Sequence, residues 1–170
     1  KKNKRVGLNG LATLNAGSPK VLGSSLNLNL RQGKLNFFVS GNYNQSGGKA
    51  NGKTLRQNKD NGTVTDYFNQ YSVNDRLGRF RSVRFGVDYF IDNRNTLSVV
   101  QRLFKGNFRN NETQDQEYLN HDKVMEYYGT RLSASEAEFG RKSTGLNYKH
   151  SFPKEGKELT ADISYNSGNN

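Results

Sequence analysis

From Ser25 to Arg31 apolar and polar residues alternate without a break, Leu26, Leu28 and Leu30 against Ser25, Asn27 and Asn29. After Gln32, Gly33 and Lys34 the pattern restarts, with Leu35, Phe37, Val39 and Tyr43 on one face and Asn36, Ser40, Asn42 and Asn44 on the other. Residues two apart share a face of a strand but lie on opposite sides of a helix. Two such runs joined by a short glycine-containing turn predict a β-hairpin. The same alternation occupies Val6, Leu8, Ala12, Leu14 and Ala16, then Val83, Phe85, Val87, Tyr89 and Ile91. Leu97, Val99 and Leu103 follow the turn Asp92 to Asn95, and Leu146, Tyr148, His150 and Phe152 lead into the turn Pro153 to Lys157. A last run sets Leu159, Ala161, Ile163 and Tyr165 against Thr160, Asp162, Ser164 and Asn166. The pattern predicts about seven strands, most of about ten residues.

The connections between these runs alternate in length. Short turns at 31–34, 92–95 and 153–157 are separated by long stretches at about 47–79 and 105–141. In an up-and-down barrel every second connection lies on the same side, and outer-membrane barrels keep short turns on one side and long loops on the other. The expectation is therefore an all-β, antiparallel up-and-down transmembrane β-barrel: about seven strands of a larger barrel wall, with residues 1–170 part of one barrel domain and both long loops extracellular. Phe37, Phe38, Tyr89, Phe90 and Phe152 beside the short turns suit an aromatic girdle. A soluble β-sandwich alternates too, but needs more bulk on its inner face than the Asn, Ser, Gly, Arg and Thr found here.

Composition sharpens the picture in two places. The chain is 32% hydrophobic with a mean hydropathy of -0.94, yet it carries nine Tyr and ten Phe, which fits a polar chain with regular apolar faces rather than a disordered one. Its net charge of +11 is spread along the chain, so the expectation is solvated loops and a polar interior, with no nucleic-acid partner. There is no cysteine, hence no disulfide framework and no thiolate metal site. The lysine-rich start without an initiator Met, and the end in Ser167, Gly168, Asn169 and Asn170, which reads as the start of another loop, predict a piece cut from a longer protein.

The run Leu26 to Phe38, continuing to Asn44, resembles barrel strands of the TonB-dependent receptor and related outer-membrane β-barrel families of Bacteroidetes. Phe85 to Leu97, and Leu146 to Phe152 with Glu158 to Tyr165, are similar to their hairpins. The resemblance implies a barrel segment of an outer-membrane receptor or transporter for nutrient uptake in the bacterial outer membrane. Its partners would be outer-membrane lipid and lipopolysaccharide, together with an energy-coupling protein and a surface lipoprotein acting through the full-length parent. The alternative is a non-transporting structural or adhesin-like barrel.

Candidate chemistry is sparse. No nucleophile constellation, cofactor motif or metal-ligand spacing stands out, so no enzymatic activity, cofactor or metal is expected. His150 shares the apolar register of Phe152, and His121 lies among Asp115, Glu117 and Asp122 in a charged stretch. Asn58 to Asp66 lacks the closing Glu of a calcium loop. Two clusters remain as candidate sites. Tyr67, Phe68, Asn69, Gln70 and Tyr71 form an aromatic and amide island suited to sugar or peptide contact. Arg76, Arg79, Arg81 and Arg84 could bind lipopolysaccharide phosphates or line a lumen.

Overall fold

The computed structural model describes residues 7–169; the lysine-rich start, Val6 of the first alternating run and Asn170 lie outside them. The described residues form β1 (Gly7–Gly17), β2 (Val21–Gln32), β3 (Leu35–Asp60), β4 (Thr63–Phe90), β5 (Asn95–Asn120), β6 (Met125–Ser151) and β7 (Glu158–Asn169). They make one seven-stranded sheet in which each strand pairs with its neighbours in sequence. The hairpin expected around Gly33 is present, with Leu30 opposite Phe37, Leu28 opposite Val39 and Leu26 opposite Gly41. Gly33 takes a φ of 60° there, a conformation that costs other L residues steric strain.

The stretches 47–79 and 105–141 are strand for most of their length. β3 to β6 run for 26 to 28 residues, and two tight turns replace the long loops. One turn is Asn61-Gly62, with φ values of 48° and 85°, the backbone that a type I′ hairpin needs and that Asn-Gly supplies most readily. The other lies near Lys123, where Lys123 N donates to Asn120 O and Val124 N to Asn120 Oδ1. Ser167 to Asn169 also continue β7 rather than opening a loop. The Gly62→Ala substitution forces a Cβ into a φ of 85°, and is expected to cost about 1–2 kcal/mol. Hydrogen exchange should register it as faster exchange in the residues flanking 61–62, with the Gly33 hairpin unchanged.

The barrel expected from the alternation is not formed. β1 and β7 stand at opposite ends of the strand order and do not pair. Six successive antiparallel hairpins leave β1 and β7 running in the same direction, so the two edges cannot meet in an antiparallel ladder. Period two reports that a strand has two unlike faces; it carries no information on whether the sheet closes.

The chain divides into two compact units, 1–45 with 79–107 and 138–170, and 46–78 with 108–137; β3 to β6 contribute to both. Among the described residues only Leu77 and Val100 are buried apolar side chains. The first unit is a single layer in which cross-strand pairs supply the stabilisation that a core usually provides. Leu8 faces Leu30, Leu30 faces Phe37 and Leu146 faces Ile163. On the opposite face Asn36 Nδ2 donates to Asn29 Oδ1 at 3.3 Å and to Asp88 Oδ2 at 3.0 Å, and Ser98 Oγ donates to Asp88 Oδ1 at 2.7 Å.

The turn at 92–95 is closed by its own aspartate. Asp92 Oδ1 accepts the amides of Arg94 at 2.7 Å and Asn95 at 2.9 Å, while Oδ2 accepts Asn95 Nδ2 at 2.7 Å. The Arg94 amide first, then the Asn95 side chain, holds the carboxyl below its ordinary value of 3.8. A depressed aspartate contributes stability above its unfolded value and loses it as pH falls through the folded one. Acidification below about 3.8 is therefore expected to loosen this turn. An NMR titration following the Arg94 amide should show the change, and the Asp92→Ala variant should not.

Candidate functional site

The apolar register of the first unit lies on one sheet face. Leu8, Leu28, Leu30, Phe37, Val39, Phe85, Val87 and Val99 line a shallow groove of about 560 Å³, with Gln101 as its polar member. Strand pleating alone places them there, since every second side chain of a strand shares a face. These side chains are only partly covered: Leu8 is 70% exposed and Phe37 44%. A second hollow of about 570 Å³ on the first unit is lined by Arg81, Lys105 and Lys142, with Glu138 paired to Lys105.

The edges are the more unusual feature. β1 is eleven residues long, every one of them exposed, and contains no charged residue and no proline. Its ladder to β2 runs unbroken from Gly7 opposite Arg31 to Gly17 opposite Val21, so no bulge bends it. β7 is similar, twelve exposed residues paired on one side only, with Ile163 71% and Tyr165 72% exposed. Edge strands are ordinarily shortened, bulged, capped with proline or studded with lysine, because their free N–H and C=O groups invite another strand. β1 has none of those protections, and β7 has only the charges of Glu158 and Asp162.

The island Tyr67 to Tyr71 is strand, not loop, and pleating divides it. Phe68 and Gln70 take one face; Tyr67, Asn69 and Tyr71 take the other. Phe68 joins a row across β3 to β6 of the second unit. Arg56 stacks over its ring at 5.0 Å, Tyr118 packs at 4.8 Å between centroids, and Tyr127 follows at 5.7 Å from Tyr118. On the other face Lys123 lies over Tyr67, Lys53 over Tyr71, and Asn69 Nδ2 donates to Glu117 at 3.3 Å. Arg56, Tyr118 and Tyr127 are not legible as site residues in the sequence, because only strand register brings positions so distant along the chain together.

The arginines are divided as well. Arg79 and Arg81 share the face of Val83 and Phe85, with Arg79 Nε donating to Gln45 Oε1 at 3.0 Å. Arg84 takes the opposite face and stacks over Phe38 at 4.6 Å. Arg76 belongs to the second unit. His150 packs edge-on against Phe152 at 4.6 Å with Nδ1 2.7 Å from Asn95 Oδ1, and His121 pairs with Asp122 at 3.0 Å in an exposed turn. Asn58 and Asp66 are bonded to each other across the Asn61-Gly62 hairpin. Among the described residues no group of three or more His, Asp or Glu is placed to hold a metal ion.

No family model, no curated protein and no solved structure matches this chain. The resemblance to TonB-dependent receptors is therefore not upheld: hairpin rhythm and turn chemistry belong to any sequential antiparallel sheet. The membrane assignments fall with it on physical grounds. A sheet crosses hydrocarbon only when closed, because each unpaired edge N–H and C=O would be left without a partner there. This sheet is open. Neither nutrient transport nor an adhesin-like barrel has a structural basis here. The same holds for an outer-membrane location, and for partnership with lipid, lipopolysaccharide, an energy-coupling protein or a surface lipoprotein. No helix of the described residues is long and apolar enough to cross a membrane, which bears only on helices.

Proposed function

We propose that this chain is a non-catalytic assembly module, a β-sheet that joins a larger β-structure by accepting strands at its edges. The observation that carries this reading is the pair of long edge strands of the described sheet, β1 without a single charge and β7 with Glu158 and Asp162 alone, each paired on one side only among the described residues. Strand addition uses main-chain hydrogen bonds for affinity and alternate side chains for specificity, and both are on offer at these edges. A single layer with two buried apolar residues among those described gains more from such additions than a sheet with its own core.

A photo-crosslinking amino acid placed at Leu11 in β1, at Ile163 in β7 and at exposed mid-sheet Val83 of β4 tests this in the organism that makes the protein. Crosslinks from an edge position to a β-strand segment, above the Val83 level, are the expected result. Equal yields at all three positions would overturn the reading.

The row Arg56, Phe68, Tyr118 and Tyr127 supports a second activity of the same module, contact with a sugar or peptide through half-exposed rings. Tyr127 is 63% exposed and its ring is the most open of the row. Any ligand that quenches the protein's tyrosine fluorescence by stacking there should lose that quenching in Tyr127→Ala and keep it in Tyr127→Phe.

A further inference from the structure

The geometry points to the hollow over β4, β5 and β6 of the first unit as a binding site for a small phosphate monoester on a short apolar body. These three strands lie inside the strand order, each between two neighbours. The site therefore depends on neither end of the sheet and is independent of strand addition.

Register brings its cations together. Lys105 of β5 pairs with Glu138 of β6, and Ser98 of β5 bonds to Asp88 of β4, which fixes the common faces of the three strands. Arg81, Lys105 and Lys142 thereby converge from three different strands on one hollow of about 570 Å³. Arg141, a fourth cation of the lining, points to the other face by parity. Gly140 makes the room. It stands between Glu138 and Lys142 on their face of β6 and puts no side chain there.

The charge of the hollow names the ligand. Three cations against one carboxylate leave a net charge of +2. Lys105 and Glu138 are 53% and 57% exposed, so water screens their bond and leaves Lys105 able to turn to a second anion. Among the described residues neither Arg81 nor Lys142 has an acidic partner. A phosphate monoester carries a charge of about -1.5 to -2 at neutral pH, which matches that surplus. It also presents paired oxygens that a guanidinium grips with two parallel bonds, while the ammonium groups act as point charges. Val83 and Leu103 supply an apolar wall, 40% and 37% exposed, that a bare phosphate leaves wet. A hollow of this volume lies within the range of small-molecule sites.

The test titrates phenyl phosphate into the isotope-labelled full chain and follows its backbone amides by NMR. Saturable shifts are expected at Leu103, Gly140 and Lys142, with Phe37 and Val87 of the apolar groove unmoved. Arg81→Gln should weaken binding on the order of tenfold, through the loss of hydrogen bonds to a charged group. Glu138→Gln removes the one repelling carboxylate and should tighten binding about threefold. Gly140→Leu keeps every charge but fills the gap, and should abolish binding. Its Cβ would meet Asn169 Oδ1 at 2.8 Å and the Phe104 carbonyl oxygen at 3.6 Å, so only the end of a side chain has to move. Unchanged amides in the Gly33 hairpin show that each variant is folded. Inorganic phosphate binding as tightly as phenyl phosphate, or phenol giving the same shifts, would overturn the inference. So would shifts centred on Phe37 and Val87, the absence of any saturable shift, or weaker binding in Glu138→Gln.

Discussion

The Gly86→Val substitution is expected to lower the stability of the first unit by about 3 kcal/mol, at the upper end of what overpacking costs. A Cβ built on Gly86 would lie 2.3 Å from the carbonyl oxygen of Val99 and 2.6 Å from Cζ of Phe38. The two obstacles differ in kind. The Phe38 ring is a side chain, although the Arg84 guanidinium stacked on it at 4.6 Å restrains its movement. The Val99 oxygen is backbone, and moving it means moving β5. Adding Phe38→Ala to Gly86→Ala should therefore recover part of the loss and leave the share due to the carbonyl. Gly41→Ala is the control: its Cβ would meet nothing closer than 4.0 Å, and relief of glycine's chain entropy should make it neutral or stabilising by about 0.5–1 kcal/mol. Urea unfolding followed by far-ultraviolet circular dichroism separates the variants. A Gly86→Val protein as stable as Gly41→Ala would show that β4 and β5 do not approach this closely.

This glycine also shows where the sequence speaks and where it is silent. Alternation around it is plain, and the faces it assigns to Val83, Phe85 and Val87 against Arg84 and Asp88 are those of the sheet, because pleating follows residue parity wherever one face is apolar. What parity does not disclose is which strand lies across from Gly86 and how close it comes. The same limit hides the row Arg56, Phe68, Tyr118 and Tyr127, whose members meet only through register. Between Ser46 and Asp60 the signal itself fails. Lys49, Asn51, Lys53 and Gln57 on one face and Gly48, Thr54, Arg56 and Asn58 on the other are polar on both sides, so a strand there has no apolar period and reads as a loop. The Asn61-Gly62 pair marks the hairpin in the sequence, yet it announces a turn only between runs already recognised as strands. Closure is a further step removed. A wall and a barrel demand the same local alternation, so alternation does not disclose that β1 and β7 stay apart.

Asp88→Ala carries the second large expectation, a loss of about 2 kcal/mol, the scale of hydrogen bonds made to a charged acceptor. The carboxylate sits half-buried between Asn36 of β3 at 3.0 Å and Ser98 of β5 at 2.7 Å, and Asn36 passes the connection to Asn29 of β2 at 3.3 Å. Four consecutive strands are thus joined by side chains on the face opposite the apolar groove. Alanine removes the acceptor and leaves the donors of Asn36 and Ser98 facing a gap, whereas Asp88→Asn keeps one oxygen and should cost about half as much. Ser98→Ala alone should fall below Asp88→Ala, since Asn36 would still be held. A double-mutant cycle of Asp88→Ala with Asn36→Ala should return a coupling of about 1 kcal/mol, because the two side chains act on one bond. Zero coupling would mean that the polar face is stabilised by water alone. In that case the cross-strand apolar pairs, with Leu30 against Phe37 and Leu146 against Ile163, would carry the sheet without help from this network.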